Sequence, residues 1–297
     1  MNELTKNRIV RNLWSIPIFL GLVALWSKLV LQSPNSFALI QDYLHYIFLG
    51  ITGAIFANST GAGGGVIFIP VFNSLNLTNE QSISTSFAIQ CFGMTTGAVA
   101  WFSYYLQNKK HSWTQLPLLL LLLTPLSVAG LWTIESLMIP PLANLEYSFS
   151  LFSILLGITL IYSHSKLNKS LTPIRHQVEL TDFIALGCIS YLGGMITAWL
   201  SVGVGELIVI YLLLRKVEPT LAVATGVIVT AITVWTTAGI HLSADSDTNF
   251  NIVTFAGPGA IIGALIAKKL ALFLPIDKLK LFFAAWIIVS GTAMLVM

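Results

Sequence analysis

Charged residues are scarce in this sequence: they make up 9% of its 297 residues, whereas 56% are hydrophobic. Soluble globular domains carry about 25% charged residues, so the composition excludes a water-soluble fold. A formal net charge of +3 is too small, and too confined to loops, to indicate nucleic-acid binding. Cysteine is nearly absent: Cys91 and Cys188 are too few to form a metal site, and their spacing establishes no disulfide.

The motifs of membrane-embedded and hydrolytic enzymes are missing as well. The sequence has no His-Glu-x-x-His, no paired transmembrane aspartates and no Gly-x-Ser-x-Gly. We therefore expect no catalytic residue, no metal and no cofactor. An intramembrane enzyme is the least favoured class of function.

Hydrophobic residues gather into long runs, and about 20 apolar residues suffice to cross a hydrocarbon core of roughly 30 Å. The first run follows basic residues, as in a signal peptide, but no clear cleavage site follows it, which favours an additional transmembrane helix. Two longer segments, 43–75 and 180–214, are interrupted by polar residues and glycine. The predicted continuous spans are 12–31, 82–106, 116–134, 148–163, 219–242, 250–271 and 279–297.

Lysine and arginine prefer cytoplasmic loops, so their positions predict the topology. If every segment crossed the membrane, the loops carrying Lys109 and Lys166 would be external and the acidic 135–147 loop would be cytoplasmic. If 43–75 and 180–214 instead enter and leave on one side, every cationic loop is cytoplasmic and every cation-free loop is external. The charges thus predict two re-entrant hairpins, a cytoplasmic N-terminus and an external C-terminus.

The two interrupted segments belong to an internal repeat. Each copy, 43–163 and 178–297, is a hairpin followed by three spans, and a cytoplasmic linker at 164–177 joins the copies. Because three is an odd number, the second copy is inverted relative to the first. Matching pairs are Gly63–Gly203, Gly65–Gly205 and Thr85–Thr225 at a spacing of 140, and Pro125–Pro258 and Gly130–Gly263 at 133.

Each hairpin has a tip that breaks the helix, at 58–65 in the first copy and 201–205 in the second. Main chain freed from helical hydrogen bonding is costly in lipid, so both tips should lie inside the bundle, against the opposite repeat. The half-helix after each tip presents unpaired N–H groups and a positive dipole end, which attract an anion. The predicted substrate site comprises Ser59, Thr60, Gly61, Gly63, Gly64, Gly65, Thr85, Ser86, Ser201, Gly203, Gly205 and Thr225.

Close helix packing is the alternative role for glycine, and it is the expected one for an isolated Gly-x-x-x-Gly such as Gly259 to Gly263. Glu206 follows the second tip among apolar neighbours, and its protonation would favour anion binding, so it is a candidate proton carrier. The alternative is a first-turn carboxylate that accepts hydrogen bonds from its own hairpin. His241 ends a predicted span, where a histidine is typically solvated.

Two stretches of this sequence resemble the sulfite exporter TauE/SafE family over 43–297. They are Gly61-Ala-Gly-Gly-Gly-Val-Ile-Phe-Ile-Pro70 with Ser84-Thr85-Ser86, and Gly203-Val-Gly-Glu206 with Ala224-Thr225-Gly226 and His241. The resemblance implies transport of sulfite, thiosulfate, sulfonates or related small organic anions. The second copy departs from the first, because Val204 separates its glycines and Ile210 stands in place of proline.

The sequence therefore predicts an all-α polytopic membrane protein of the cell membrane, built as an inverted repeat. Each repeat is a re-entrant or broken glycine-rich helical hairpin plus three transmembrane helices, and one extra N-terminal transmembrane helix lies within 1–42. The predicted function is secondary transport of a small sulfur-containing anion by alternating access, with proton coupling through Glu206. An anion channel and a carrier of another organic anion are the alternatives. The anion and the lipid bilayer are the expected partners, and glycine-rich helix faces leave a homodimer open.

Overall fold

The computed structural model describes 24, 26–28, 30–32, 35–108, 113–141, 144–168, 178–273 and 276–296, with the backbone alone at 163–168, 276–280, 282 and 283. The predicted span 12–31 and the predicted linker 164–177 lie mostly outside the described residues. The chain divides into two units between His45 and Tyr46. Helix α1 (Ser36–Tyr43) belongs to the first unit, and the second holds nearly all of both predicted repeats.

The elements described in the second unit are all α-helices, which confirms the predicted all-α class. They are α2 (Tyr46–Thr60), α3 (Gly65–Ser74), α4 (Asn79–Asn108), α5 (Leu116–Leu137), α6 (Leu145–Asn168), α7 (Leu180–Leu200), α8 (Val204–Leu214), α9 (Pro219–Trp235), α10 (Ala238–His241), α11 (Phe250–Phe273) and α12 (Ile276–Val296).

Within the described part of the chain, four helices are long and apolar enough to cross a membrane: α5, α6, α7 and α11. A fifth span results if α1 and α2 are counted together. Helix α4 is longer than any of the four, but it is less apolar because it carries a row of buried polar side chains. A long helix that buries polar groups is typical of one that lines a site within a bundle.

The predicted span 219–242 is not one helix. Helix α9 ends at Trp235, and the short α10 follows after Thr236 and Thr237. The hydroxyl groups of these two threonines donate to main-chain carbonyl groups three residues earlier, at 2.7 and 2.9 Å. These bonds satisfy carbonyl groups in the last turn of α9, where the helical ladder ends.

The helices pack in close pairs, with α2 against α11, α5 against α7, α4 against α9, and α6 against α12. Glycine permits the first two contacts. A Cβ on Gly259 or Gly263 would lie 2.2 or 2.3 Å from a carbonyl oxygen of α2, and one on Gly130 would lie 1.9 Å from the carbonyl oxygen of Tyr191 in α7. The predicted close-packing role of Gly259 and Gly263 is confirmed.

A buried carboxylate connects α7 and α8, the two arms of the second hairpin, at the end away from its tip. Asp182, in the first turn of α7, is 2% exposed. Its Oδ1 accepts hydrogen bonds of 2.6 Å from Arg215 Nε and 2.9 Å from the Tyr211 hydroxyl, and its Oδ2 accepts one of 3.1 Å from the Glu179 amide. The contacts hold α7 to the end of α8.

We expect Arg215→Ala to lower the free energy of unfolding by about 1–3 kcal/mol, because the buried Asp182 carboxylate loses its charged partner but keeps two other donors. Partial exposure of the guanidinium keeps the loss below that of a fully buried pair. Arg215→Lys retains the charge without the planar donor group and should lose less. Unfolding of the purified protein in detergent measures both variants, and wild-type stability of Arg215→Ala would contradict the proposed role of the pair.

Candidate functional site

The first tip breaks the chain between α2 and α3. Helix α2 ends at Thr60, and Gly61 adopts a φ of +84°, a left-handed conformation that glycine reaches without the steric cost of a side chain. Helix α3 begins at Gly65. The amides of Gly63 and Gly64 therefore lie before the first helical turn, where main-chain N–H groups have no partner within the helix.

The second tip has a similar form. Helix α7 ends at Leu200, Ser201 has a left-handed φ of +58°, and Gly203 has a φ of +150°. The Thr197 hydroxyl accepts a hydrogen bond of 2.9 Å from the Val204 amide, which connects the start of α8 to the last turn of α7. Two half-helices, α3 and α8, thus begin inside the protein.

The two tips touch each other, and glycine is required at the points of contact. A Cβ on Gly65 would lie 2.5 Å from the Ser201 carbonyl oxygen, and one on Gly205 would lie 2.3 Å from the Gly61 carbonyl oxygen. Each tip therefore occupies the space that a side chain on the other would need. Both tips are buried and lie against each other, as the sequence predicts.

Glu206, in the first turn of α8, connects the two tips. Its Oε2 accepts a hydrogen bond of 2.8 Å from the Gly203 amide of its own hairpin, and its Oε1 accepts one of 2.6 Å from the Gly63 amide of the other. The side chain is 2% exposed. The contact within its own hairpin is the one expected of a first-turn carboxylate, and the contact with Gly63 adds a link between the two predicted repeats.

Gln90, on α4, also contacts both tips, and it is not among the residues predicted from the sequence. Its Oε1 accepts a hydrogen bond of 3.0 Å from the Gly64 amide, and its Nε2 donates to the carbonyl and hydroxyl oxygens of Ser201 at 3.0 and 2.8 Å. The Ser201 hydroxyl donates to that of Ser86 at 2.9 Å. Its position in the sequence could have indicated this role. A glutamine within the predicted span 82–106 must face protein or a cavity, because its amide would otherwise be unpaired in lipid.

Thr230, on α9, points at the second tip. A Cβ on Gly205 would lie 2.5 Å from its hydroxyl oxygen. The side chain is 2% exposed, and among the described residues its hydroxyl has no hydrogen-bond partner. Thr230 stands 140 positions after Gln90, so equivalent positions of the two predicted repeats both face the tips.

Four hydroxyl groups of the predicted site bond to neither Gln90 nor Glu206, although that of Thr60 accepts a hydrogen bond of 3.3 Å from the Ala62 amide within the first tip. Those of Ser59, Thr60 and Thr225 donate to carbonyl groups three or four residues earlier in their own helices. The Thr85 hydroxyl accepts a hydrogen bond of 2.9 Å from the Asn249 amide, at the start of α11. The structure thus forms two adjoining hydrogen-bonded sets at the tips, Glu206 with Gly63 and Gly203, and Gln90 with Gly64, Ser86 and Ser201. The four hydroxyl groups belong to neither set.

His241 is buried, in contrast to the solvated position that its place in the sequence suggested. Its Nδ1 lies 3.0 Å from the Ser84 hydroxyl, and its ring stacks on Phe87 with centroids 4.4 Å apart. The early end of α9 is the reason, because α10 then packs against α4. A cavity of about 400 Å³ adjoins this pair, and its lining includes the carboxylates of Glu80, Asp245 and Asp247.

A family model described as Sulfite exporter TauE/SafE matches residues 46–294. The matched range begins with α2 and ends within α12, so it contains both tips, Gln90 and Glu206. No curated protein and no solved structure matches the chain.

Proposed function

The chain belongs to the sulfite exporter TauE/SafE family and is a multi-pass membrane protein; from this premise we propose that it carries small sulfur-containing anions by alternating access. Sulfite, thiosulfate and organosulfonates form the proposed substrate class. The observation that carries the proposal is the junction of the two hairpin tips, where donor groups from both predicted repeats converge on one buried place.

The donors at this junction suit an anion. Helices α3 and α8 both begin there, and helix N-termini combine N–H groups that have no partner within the helix with a positive dipole end. The hydroxyls of Ser86 and Ser201 and the amide of Gln90 add neutral hydrogen-bonding groups. Half-helix N-termini at the centre of a broken-helix transporter are a known way to hold an anionic group.

Helix pairing supports the internal repeat inferred from the sequence. When α2 to α6 are exchanged with α7, α8, α9, α11 and α12, the α2–α11 pair becomes α7–α5, and α4–α11 becomes α9–α5. The α4–α9 and α6–α12 pairs map onto themselves. We infer hairpins that enter from opposite sides, a cytoplasmic N-terminus and an external C-terminus, because this topology puts the cationic loops inside.

Burial at the junction favours a carrier over a channel. The side chains of Ser86, Gln90, Ser201 and Glu206 are at most 2% exposed. A channel conducts through a continuous pore, whereas a carrier passes through a state that is closed to both sides. Proton coupling is assigned to Glu206, because an anion at the tips repels its carboxylate, and protonation removes that repulsion.

Flux into proteoliposomes tests the proposal. We expect saturable uptake of radiolabelled sulfite, thiosulfate or a small sulfonate by the wild type, and stimulation of that uptake by a pH gradient. Glu206→Gln should lose the stimulation because its side chain cannot release a proton. Glu146→Gln, on a carboxylate at the start of α6, is the matched control and should keep it.

The other outcomes separate the alternatives. Flux that rises linearly with concentration would indicate a channel, and flux of a carboxylate but of no sulfur anion would replace the proposed substrate class. Gradient stimulation retained in a folded Glu206→Gln protein would show that Glu206 has no part in proton coupling.

A further inference from the structure

The carboxyl group of Glu206 occupies a place that is built for an anion. It lies between two main-chain amides, Gly203 at 2.8 Å and Gly63 at 2.6 Å, which come from different hairpins. Each amide belongs to the start of a half-helix of at least ten residues, so both present positive dipole ends to the same group. A carboxylate in this place receives the same hydrogen bonds and dipole stabilisation that a bound anion would receive.

A carboxylate and an oxidised sulfur group can accept the same two hydrogen bonds from these amides. Both carry at least two oxygen atoms on one central atom, and each oxygen accepts a hydrogen bond from one amide. We propose that the Glu206 side chain is a tethered substitute for the transported anion: it holds the two tips together in the empty protein, and the substrate binds by displacing it. This inference rests on the proposed function, because it takes the tip junction to be the place where the transported anion binds.

An independent observation points to the same ligand class. The Thr230 hydroxyl faces the first turn of α8, is 2% exposed, and has no hydrogen-bond partner in the described part of the chain. A buried hydroxyl normally has a partner, and the carboxylate of Glu206 does not supply one. A group with three oxygens, such as a sulfonate, has one oxygen more than a carboxylate, and this additional acceptor suits the Thr230 hydroxyl.

Displacement of Glu206 requires a proton. An ionised carboxylate that left both amides would be unpaired in a buried place beside the arriving anion, which is costly, whereas a protonated carboxyl group is neutral. Binding of each anion should therefore take up one proton wherever Glu206 is ionised, and affinity should fall about tenfold for each pH unit above that point.

The remaining ionisable groups do not bond to Glu206. In the described ranges its hydrogen bonds come from main-chain amides. Helix α9, which packs against α8, has no ionisable side chain. Those on the other surrounding elements with described side chains are Tyr46 on α2, Glu80, Cys91, Tyr104 and Tyr105 on α4, Glu146, Tyr147 and Tyr162 on α6, Asp182, Cys188 and Tyr191 on α7, and Tyr211 on α8 itself.

Anion rescue tests the proposal that Glu206 takes the place of a bound anion. Glu206→Ala removes the tethered carboxylate and frees both amides, so acetate, formate and methanesulfonate should each raise the Tm of this variant, by roughly 2–4 °C at ten times Kd. Acetamide, which has the shape of acetate without its charge, should not. In Glu206→Gln the side chain still fills the space, so acetate should have less effect. A folded Glu206→Ala protein whose Tm is unmoved by all three anions overturns the proposal.

Proton uptake gives a second test that needs no alanine variant. Titration calorimetry of methanesulfonate, in buffers of different ionisation enthalpy at pH 8, should report about one proton taken up per anion bound by the wild type. In Glu206→Gln, binding should persist with no proton uptake and no pH dependence. Equal uptake by both proteins, or anion binding by the wild type without uptake, overturns the proposal.

The two experiments separate this inference from the proposed function. If anions rescue Glu206→Ala but the wild type transports no sulfur anion, the tethered substitute is supported and the proposed substrate class is wrong. If the wild type transports a sulfur anion, but anions do not rescue Glu206→Ala and binding takes up no proton, the proposed substrate class stands and the tethered substitute is wrong.

Discussion

Replacement of Gln90 by leucine should abolish measurable transport and lower the free energy of unfolding by about 2–5 kcal/mol. The substitution leaves the Gly64 amide and the Ser201 carbonyl group buried without the partner that joins them. Each buried group deprived of its hydrogen bond costs about 1–3 kcal/mol, and leucine cannot replace either bond. Thermal unfolding in detergent and flux in proteoliposomes measure the two effects.

A matched control lies on the same helix. Gln107, near the end of α4, is exposed, so Gln107→Leu makes the same chemical change away from the tips and should leave flux and stability nearly unchanged. Transport retained by Gln90→Leu would mean that the tips keep their arrangement without the amide. Equal losses in both variants would assign the effect to leucine on this helix and not to the tip junction.

Gly205→Ala should reduce transport by about a hundredfold, with a loss of stability of about 1–3 kcal/mol. Its new Cβ would lie 2.3 Å from the Gly61 carbonyl oxygen and 2.5 Å from the Thr230 hydroxyl oxygen, so the two tips must separate. A separation of even 1 Å alters the geometry of the converging amides. Initial rates of anion uptake over a range of concentrations measure the loss.

Gly239→Ala is the control for this change. Gly239 lies in α10, and a Cβ added there meets no atom within 4 Å. We expect wild-type flux from this variant. Normal transport by Gly205→Ala would show that the close contact between the tips is not needed for function.

The two tips were predictable because their signal is local. A run of glycine and small polar residues within an apolar segment cannot remain helical in lipid at low cost, and its recurrence 140 positions later identifies both copies. The requirement that each tip be shielded from lipid then implies that they lie inside the bundle. The residue types of the tips, together with the cost of exposing unpaired main chain to lipid, were enough to predict this part of the fold.

The partners of individual side chains were less predictable. Serine and threonine on a helix can bond either across the bundle or back to their own helix, and sequence does not distinguish the two. Ser86 makes the first choice, through the Ser201 hydroxyl, whereas Ser59, Thr60 and Thr225 make the second. Gln90 was missed because its role depends on which face of α4 meets the tips, and this follows from tertiary packing.

The position of His241 shows the same limit at the level of a helix. The stretch 219–242 is apolar throughout and reads as one span, yet α9 stops at Trp235. Two threonines at the break bond to carbonyl groups of the preceding turn, and hydropathy has no term for such bonds. The histidine consequently enters the protein interior instead of ending at the membrane surface.

The glycine contacts between α2 and α11, and between α5 and α7, have a mechanical consequence. Main chain that approaches main chain so closely leaves little room for sliding, so we expect each hairpin arm to move together with a helix of the other predicted repeat. In the proposed alternating-access cycle, we therefore expect two rigid bodies that each combine helices of both predicted repeats, α2 with α11 in one and α5 with α7 in the other. The proposed motion would thus group helices that the predicted repeat assigns to different halves of the chain.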